Sequence, residues 1–264
     1  MAVESSTRTH LIHLSLCLKY AYKLSYRSLQ GLMESICAIA QIDLPVPSYT
    51  QVCRRATRVS HPKLSKRRPV AIALDSTGLK VFGEGEWKVR KHGSSKRRQW
   101  VKIHLSMDPK SGEVIAICTS ESDAHDSRYL PSLLRPGVKE VLGDGAYDTR
   151  GCRRAIKDVG ARAVVPPRRG SRIRDGTEEW LEERNRDIAE VIGLGNDAEA
   201  LAIWKIAHGY HRRSLVETTM SRWKGLLGGE LSSRERRRQK NEVQIKAWML
   251  NQYAKLGMPG NIAS

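Results

Sequence analysis

YHRRSLVETTMSRWK, residues 210–224, places Tyr210, Arg213, Glu217 and Lys224 at offsets of 0, 3, 7 and 14. At about 100° per helical residue the four project to roughly 0°, 300°, 340° and 320°, one narrow stripe. A packing stripe is apolar; this one is ionic. A carboxylate flanked by two cations and a phenol suits a helix that presents a metal ligand to a polyanion.

One Glu holds a divalent ion poorly, since Mg²⁺ normally takes one or two protein carboxylates together with phosphate oxygens. Two further acids stand in the right kind of place. Asp75 in PVAIALDSTG follows the apolar run Val70–Leu74, and Asp144 in VKEVLGDGAYD follows a second short apolar run and precedes Gly145. Such runs read as buried strands. An acid at the end of a core strand is costly to bury and is better explained by a cleft than by packing.

The chain around these acids supplies a sheet. Strands are expected at Val70–Leu74, continuing through Leu79–Phe82, at Gln99–Met107 and at Val114–Thr119, the last two joined by the turn DPKSGE. A helix near Ser127–Leu134, a strand at Val138–Leu142, a helix at Thr149–Val159 and a strand at Ala163–Val165 follow, and then helices to the end. Three antiparallel strands followed by alternating helix and strand is the order of the ribonuclease H fold. The expected class is therefore α/β: a mixed five-stranded sheet with flanking helices over residues 70–257, a small insertion between about 166 and 205, and a tail at 258–264. Asp75 and Asp144 then fall on neighbouring strands, with the Glu217 helix packed across them.

Taken in order, the acids Asp75, Asp144 and Glu217, the Tyr-x2-Arg-x3-Glu-x6-Lys spacing, ALDSTGLKVFGEGEW, LGDGAYDTR, VVPPRRG, the Arg184–Asn185 pair and the closing LN…LGMP resemble the DDE transposases of the IS4- and IS5-related insertion-sequence families. The resemblance covers most of residues 10–260. It implies that Asp75, Asp144 and Glu217 are catalytic and hold two Mg²⁺ ions, or Mn²⁺ in their stead. It implies too that Tyr210, Arg213 and Lys224 hold DNA phosphates near the cut. The implied partner is double-stranded DNA, both the element's terminal inverted repeats and the target, bound by a homodimer in a prokaryotic, nucleoid-associated setting. Relatives commonly begin further upstream, so a shortened N-terminal region is expected here. Two other readings share the acids: a ribonuclease H-like nuclease or resolvase, and an inactive DNA-binding regulator descended from a transposase.

Composition agrees with a nucleic-acid partner. The 264 residues carry 46 Lys and Arg against 28 Asp and Glu, a net charge of +18 and a pI near 10.0. A chain this basic repels itself unless its partner is a polyanion. Five widely spaced cysteines form no C-x2-C pair, which argues against a disulfide framework or zinc ribbon and for buried thiols. The longest apolar stretch, near Leu11–Tyr22, is interrupted by His13 and Lys19 and lacks a cleavage pattern, so a cytoplasmic protein with no membrane partner is expected.

Residues 1–60 read as an all-helical N-terminal region, with Ser25 as an N-cap and the turn LPVP before a short basic helix bearing Arg54, Arg55 and Arg58. A helix-turn-helix DNA reader is favoured over a plain helical cap, because the basic third helix follows a tight turn. Residues 61–69, HPKLSKRRP, form a basic linker. Of the three basic runs, Lys88–Arg98 (with Arg97 and Arg98) and Arg168–Arg174 (with Arg168 and Arg169) lie close in sequence to strand ends and suit phosphate tracking. Arg234–Lys240 is evenly balanced between that and a solvated face. Asp126 is expected to be a helix N-cap rather than a metal ligand with Asp123 and His125, and Asp148 a cap for the next helix. His104 is expected to be a satisfied strand residue, while His208 and His211 are positioned to contact DNA.

Overall fold

The computed structural model describes residues 2–61, 63–81, 100–168 and 170–257. The chain divides into two compact units, one of Leu64–Gly78 and Lys102–Ser221, the other of Met1–Lys63, Leu79–Val101 and Arg222–Ser264. The mixed sheet is the predicted one with a sixth, two-residue strand added.

In the first unit the strand order is β3-β2-β1-β4-β5, with β1 at Ala71–Val81, β2 at Trp100–Met107, β3 at Val114–Glu121, β4 at Glu140–Leu142 and β5 at Arg162–Val164. The connection from β2 to β3 is too short for a crossover, so these two form an antiparallel hairpin, closed by Asp108 N–H donating to Glu113 O at 2.9 Å. β4 runs parallel to β1, pairing Ala71 with Glu140, Ile72 with Val141 and Ala73 with Leu142, and β5 runs parallel to β4. Parallel neighbours need helical crossovers. After β3 a 3₁₀ turn (Asp126–Tyr129) leads into α4 (Leu130–Leu133), and after β4 comes α5 (Arg150–Asp158). Leu130 and Leu133 of α4 and Cys152 and Ile156 of α5 bury against Ile72, Leu74, Ile115 and Val141 of the sheet. Each such side chain contributes roughly 1.5–3 kcal/mol.

Three local expectations change. β1 is one unbroken strand, so Asp75 lies within it, and it is the neighbouring β4 pairing that stops short. The helix expected near Ser127–Leu134 is half 3₁₀ and becomes α only at Leu130, Pro131 having no N–H to donate back into the preceding turn. Asp126 follows the cap position, which His125 occupies, and pairs instead with Lys102 at 2.5 Å. His104 is fully buried, bonded through Nε2 to Ser120 Oγ at 2.8 Å, and burial lowers its pKa to about 4, so it is neutral.

The unit continues through α6 (Glu179–Gly193), α7 (Ala198–Ala207), a 3₁₀ turn (Tyr210–Arg213) and the start of α8 (Ser214–Leu227). The second unit takes the end of α8, then β6 (Glu230–Leu231), which pairs in parallel with Lys80 and Val81 of β1. A two-residue strand has no period to read in sequence.

The rest of the second unit is helical: α1 (Ala2–Ala21), α2 (Tyr26–Ile39), α3 (Tyr49–Arg55) and α9 (Arg236–Leu256). Ile12, Leu16 and Tyr20 repeat every four residues and make one buried face of α1. α1 packs against α9, where Val243, Ala247 and Leu250 are buried, and His13 meets Trp248 edge-on at 4.8 Å. Ser25 caps α2 by accepting from Ser28 N–H, and α3 opens with a reciprocal capping box between Ser48 and Gln51. Arg54, Arg55 and Arg58 stay exposed around the end of α3. No described helix is long and apolar enough to cross a membrane. The five cysteines are free; only Cys152 is buried and the other four are half-buried, which corrects the expectation that all are core residues.

Candidate active site

The β1–β4 register decides where two of the acids go. Asp75 lies two residues beyond Ala73, and Asp144 two residues beyond Leu142, the pair that ends the β1–β4 ladder. In parallel strands equal offsets from a shared pair bring residues to the same end of the sheet, and an even offset keeps them on the same face as that pair. Asp144 then leaves the strand and caps the 3₁₀ turn Gly145–Tyr147, its Oδ1 accepting from Ala146 N–H at 2.9 Å. Gly143 permits this turn, since a β-carbon there would stand 2.9 Å from Cδ2 of the buried Tyr147 ring.

Glu217 arrives from the other end of the chain. Gly209, at φ +62°, reverses the chain after α7, and Arg212 fixes the 3₁₀ turn that follows by donating to Gly209 O at 3.1 Å and to Glu140 Oε2 of β4 at 2.8 Å. Tyr210 and Arg213 thus sit in a 3₁₀ turn, and only Glu217 and Lys224 lie in α8. The single α-helical stripe expected over 210–224 is therefore broken near its start, because the turn must follow β4 before the helix can begin. Lys224 belongs to the part of α8 in the second unit.

At the centre stands Arg213. Its Nη1 donates to Glu217 Oε1 at 2.7 Å, while Nη2 lies 3.4 Å from Asp75 Oδ1 and 3.8 Å from Asp144 Oδ2. One guanidinium thus touches all three acids. The Arg213 and Asp75 side chains are 15% and 20% exposed, those of Asp144 and Glu217 42% and 59%, so the cluster is floored but open. Burial pushes the Asp75 carboxyl above its usual range, with Asp144 and Glu217 adding to the effect and Arg213 and a backbone N–H opposing it. Burial works against the charge on Arg213 too, but Tyr210 and the surrounding acids outweigh it and hold the pKa above the usual value. Burial also raises the pKa of the Tyr210 phenol, leaving it a neutral donor, with Lys205 Nζ 5.6 Å from its ring centre.

Three carboxylates facing one guanidinium leave the cluster negative in a strongly basic chain. The donors are all hard oxygens, the set Mg²⁺ prefers. They do not close a cage: among the described residues no group of three His, Cys, Asp or Glu side chains is tight enough to hold an ion unaided. A site completed by water and substrate phosphate needs no such cage, and the donor set fits an ion of that kind.

Arg168 also comes to this loop, donating through Nε to Gly145 O at 2.7 Å. Arg169, Arg97 and Arg98 lie outside the described residues, as does the run Lys88–Arg98. His208 is engaged internally, bonded to Glu190 at 2.7 Å and Arg162 at 3.0 Å and tilted on Trp204, so its expected DNA contact is displaced by packing. His211 is exposed.

Beneath the loop lies a charge network that sequence reasoning missed. Arg153, 2% exposed, donates to Asp148 at 3.1 Å, to Asp187 at 2.7 Å and to Val165 O at 3.0 Å. Asp148 is therefore no cap; Thr149 caps α5 by accepting from Cys152 N–H. Arg184 adds a second donor to Asp148 at 3.3 Å, and Asn185 beside it clamps both the N–H and the C=O of Arg174. The signal was an arginine between Cys152 and Ile156 on the apolar side of α5. Charge pattern alone assigns such a residue to solvent.

Comparison with known protein families gives two matches. A family model described as a transposase DDE domain matches residues 66–252. A second of the same description matches residues 5–84.

Proposed function

The chain belongs to the transposase DDE domain family, and from that premise we propose that it cuts DNA at the ends of an insertion sequence and joins them to target DNA, with Asp75, Asp144 and Glu217 as the catalytic acids. The observation that carries this reading is the contact of one guanidinium, Arg213, with all three carboxylates. Acids from a strand, from the turn that follows its neighbour and from a distant helix are drawn to one point, and that point is open to solvent on the Glu217 side.

Asp75, Asp144 and Glu217 would hold two Mg²⁺ ions, or Mn²⁺. When bound, such ions lower the pKa of a water or 3′-hydroxyl nucleophile and stabilise charge on the phosphoryl and leaving oxygens. The remaining work belongs to the chain. Arg213 bonds to Glu217 and opposes the upward shift that burial gives the Asp75 carboxyl. Tyr210, neutral and half-buried beside the acids, donates a hydrogen bond to a DNA phosphate. Lys224 extends the phosphate track along α8, and Arg168 presents its charge beside the Asp144 loop while its Nε is tied to the backbone. Arg97, Arg98 and Arg169 are assigned to the same track. Arg54, Arg55 and Arg58 reach base edges, with residues 1–60 as the reading module, 70–257 as the catalytic domain and a homodimer on the DNA.

The test is Asp75→Asn, Asp144→Asn and Glu217→Gln, each assayed with end-bearing duplex and Mg²⁺. Each variant should lose cleavage to background yet retain the gel shift, because a ligand charge goes and little volume changes. Wild-type cleavage by any one removes that residue from the site. Strand-transfer products from the wild type distinguish transposition from simple nuclease or resolvase action.

A further inference from the structure

At the end of α1, beside the turn that follows α8, the second unit holds a cavity of about 790 Å³ lined by Lys19, Tyr20, Lys23, Tyr26, Lys224 and Lys246 and by residues 227–232. The acids at its wall are already matched. Glu242, fully buried, accepts from Ser232 N–H at 2.9 Å, Ser232 O–H at 3.1 Å and Ser233 N–H at 2.9 Å, and stands 3.0 Å from Lys246 Nζ. Glu230 stands 3.7 Å from Lys80.

The other three lysines have no ion pair among the described residues. Lys19 is 7% exposed, yet among the described residues the one hydrogen bond of its ammonium is to Ser232 Oγ, at 3.2 Å, beside the rings of Tyr20 and Tyr26, whose centres are 5.1 and 4.9 Å away. Burial lowers its pKa, with Lys246 adding to the effect and Glu242 only partly opposing it. Lys23 is exposed and held at φ +53°, with Nζ 3.7 Å from where a β-carbon on Gly228 would stand. No carboxylate among the described residues lies within ion-pair distance of Lys19, Lys23 or Lys224. Lys19 and Lys224 each sit in the last turn of a helix, where the dipole favours a cation. That explains why the charges are tolerated one at a time. It does not explain why three of them line one space whose two acids, Glu230 and Glu242, are ion-paired with other lysines.

We propose that this cavity binds a nucleotide, its phosphate taken by Lys19, Lys23 and Lys224 and the attached sugar and base lying in the remaining volume. The volume falls within the ~300–1,000 Å³ of pockets that enclose a small molecule, well beyond what a bare phosphate needs. The nucleotide comes from one of two sources, an unpaired unit of a DNA strand or a free nucleotide. The strand source rests on the DNA-processing function proposed above.

The test uses the full-length chain in EDTA and reads, by calorimetry, the binding of thymidine 5′-monophosphate and of a thymidine octanucleotide. Saturable binding at one site is expected, with Lys23→Gln weakening it about tenfold, the loss of one charge-assisted contact. Lys110→Gln, an equal charge loss at the β2–β3 turn, should leave it unchanged. Lys19→Met should weaken it similarly; if that variant does not fold, Lys23→Gln still decides. Octanucleotide binding that the monophosphate competes away assigns the site to a strand, and monophosphate binding alone assigns it to a free nucleotide; both support the cavity. Absent saturable binding, or equal losses in Lys23→Gln and Lys110→Gln, overturns it. Because no metal is present, a negative result leaves the cleavage test of the acids standing. A wild type that binds nucleotide but never cuts DNA rejects the acids' role alone.

Discussion

Replacing Arg153 by Met keeps most of the volume and removes three hydrogen bonds from a site where Asp148 and Asp187 are 1% and 2% exposed at their side chains. Breaking a buried pair from one side costs roughly 3–5 kcal/mol, since the stranded charge stays in a poorly solvating interior. Arg184, 3.3 Å from Asp148, and Arg162, 3.7 Å from Asp187, retain part of the compensation, which favours the lower end of that range. For a chain of this size each kcal/mol lowers the melting temperature by roughly 2–4 °C, so a drop of about 6–12 °C is expected. Thermal unfolding followed by circular dichroism reads it. The pH dependence supplies a second, independent sign. Burial already holds the Asp187 pKa above its usual value against the pull of Arg153 and Arg162, and losing Arg153 raises it further. An acid with a raised folded-state pKa favours the folded state once protonated and penalises it as pH rises through that pKa. The deficit of the variant should therefore be full at neutral pH and narrow as the solution is acidified. A drop under about 2 °C, or a deficit that widens with acid, would refute the network's role.

Arg213→Gln removes the cation that opposes the upward shift of Asp75, so the acid limb of the cleavage–pH profile should move to higher pH; a profile that falls in height without moving would show that Arg213 acts only by orienting Glu217. Gly143→Ala forces a methyl group against the buried Tyr147 ring, at a cost of roughly 1–3 kcal/mol, and pairing it with Tyr147→Leu should recover part of the loss in thermal unfolding; no loss in the single variant would mean that the ring gives way freely.

The sheet was legible because its strands carry buried apolar runs bounded by a glycine or a turn, or, in β1, interrupted by an acid, and burial enforces that pattern. The acids were legible for the complementary reason: ALD and LGD each put a charge where the pattern calls for another apolar residue. What escaped were features fixed by tertiary partners. The break at Ser214 between 3₁₀ and α geometry follows from the Arg212–Glu140 bond, made between residues 72 apart in the chain. The Arg153 network escaped because the charge of an arginine reads as solvent-facing even between the buried Cys152 and Ile156, and Asp148 resembled a cap because it precedes one. β6 depends on the far end of β1 for its existence, and nothing within its two residues announces it.

The shared offset of Asp75 and Asp144 from the Ala73–Leu142 pair has a consequence for how such a chain can diverge. Their meeting is set by register, not by the length of the polypeptide between them, so those connections behave as adjustable spacers and the two acids as fixed points. A loop there can lengthen, shorten or be exchanged, and with it whatever surface it offers to a partner, without retuning the chemistry. The tolerance ends abruptly at the strands. Deleting a single residue between Ala73 and Asp75 turns the carboxylate to the opposite face of the sheet, and no compensating change elsewhere in the connection can turn it back.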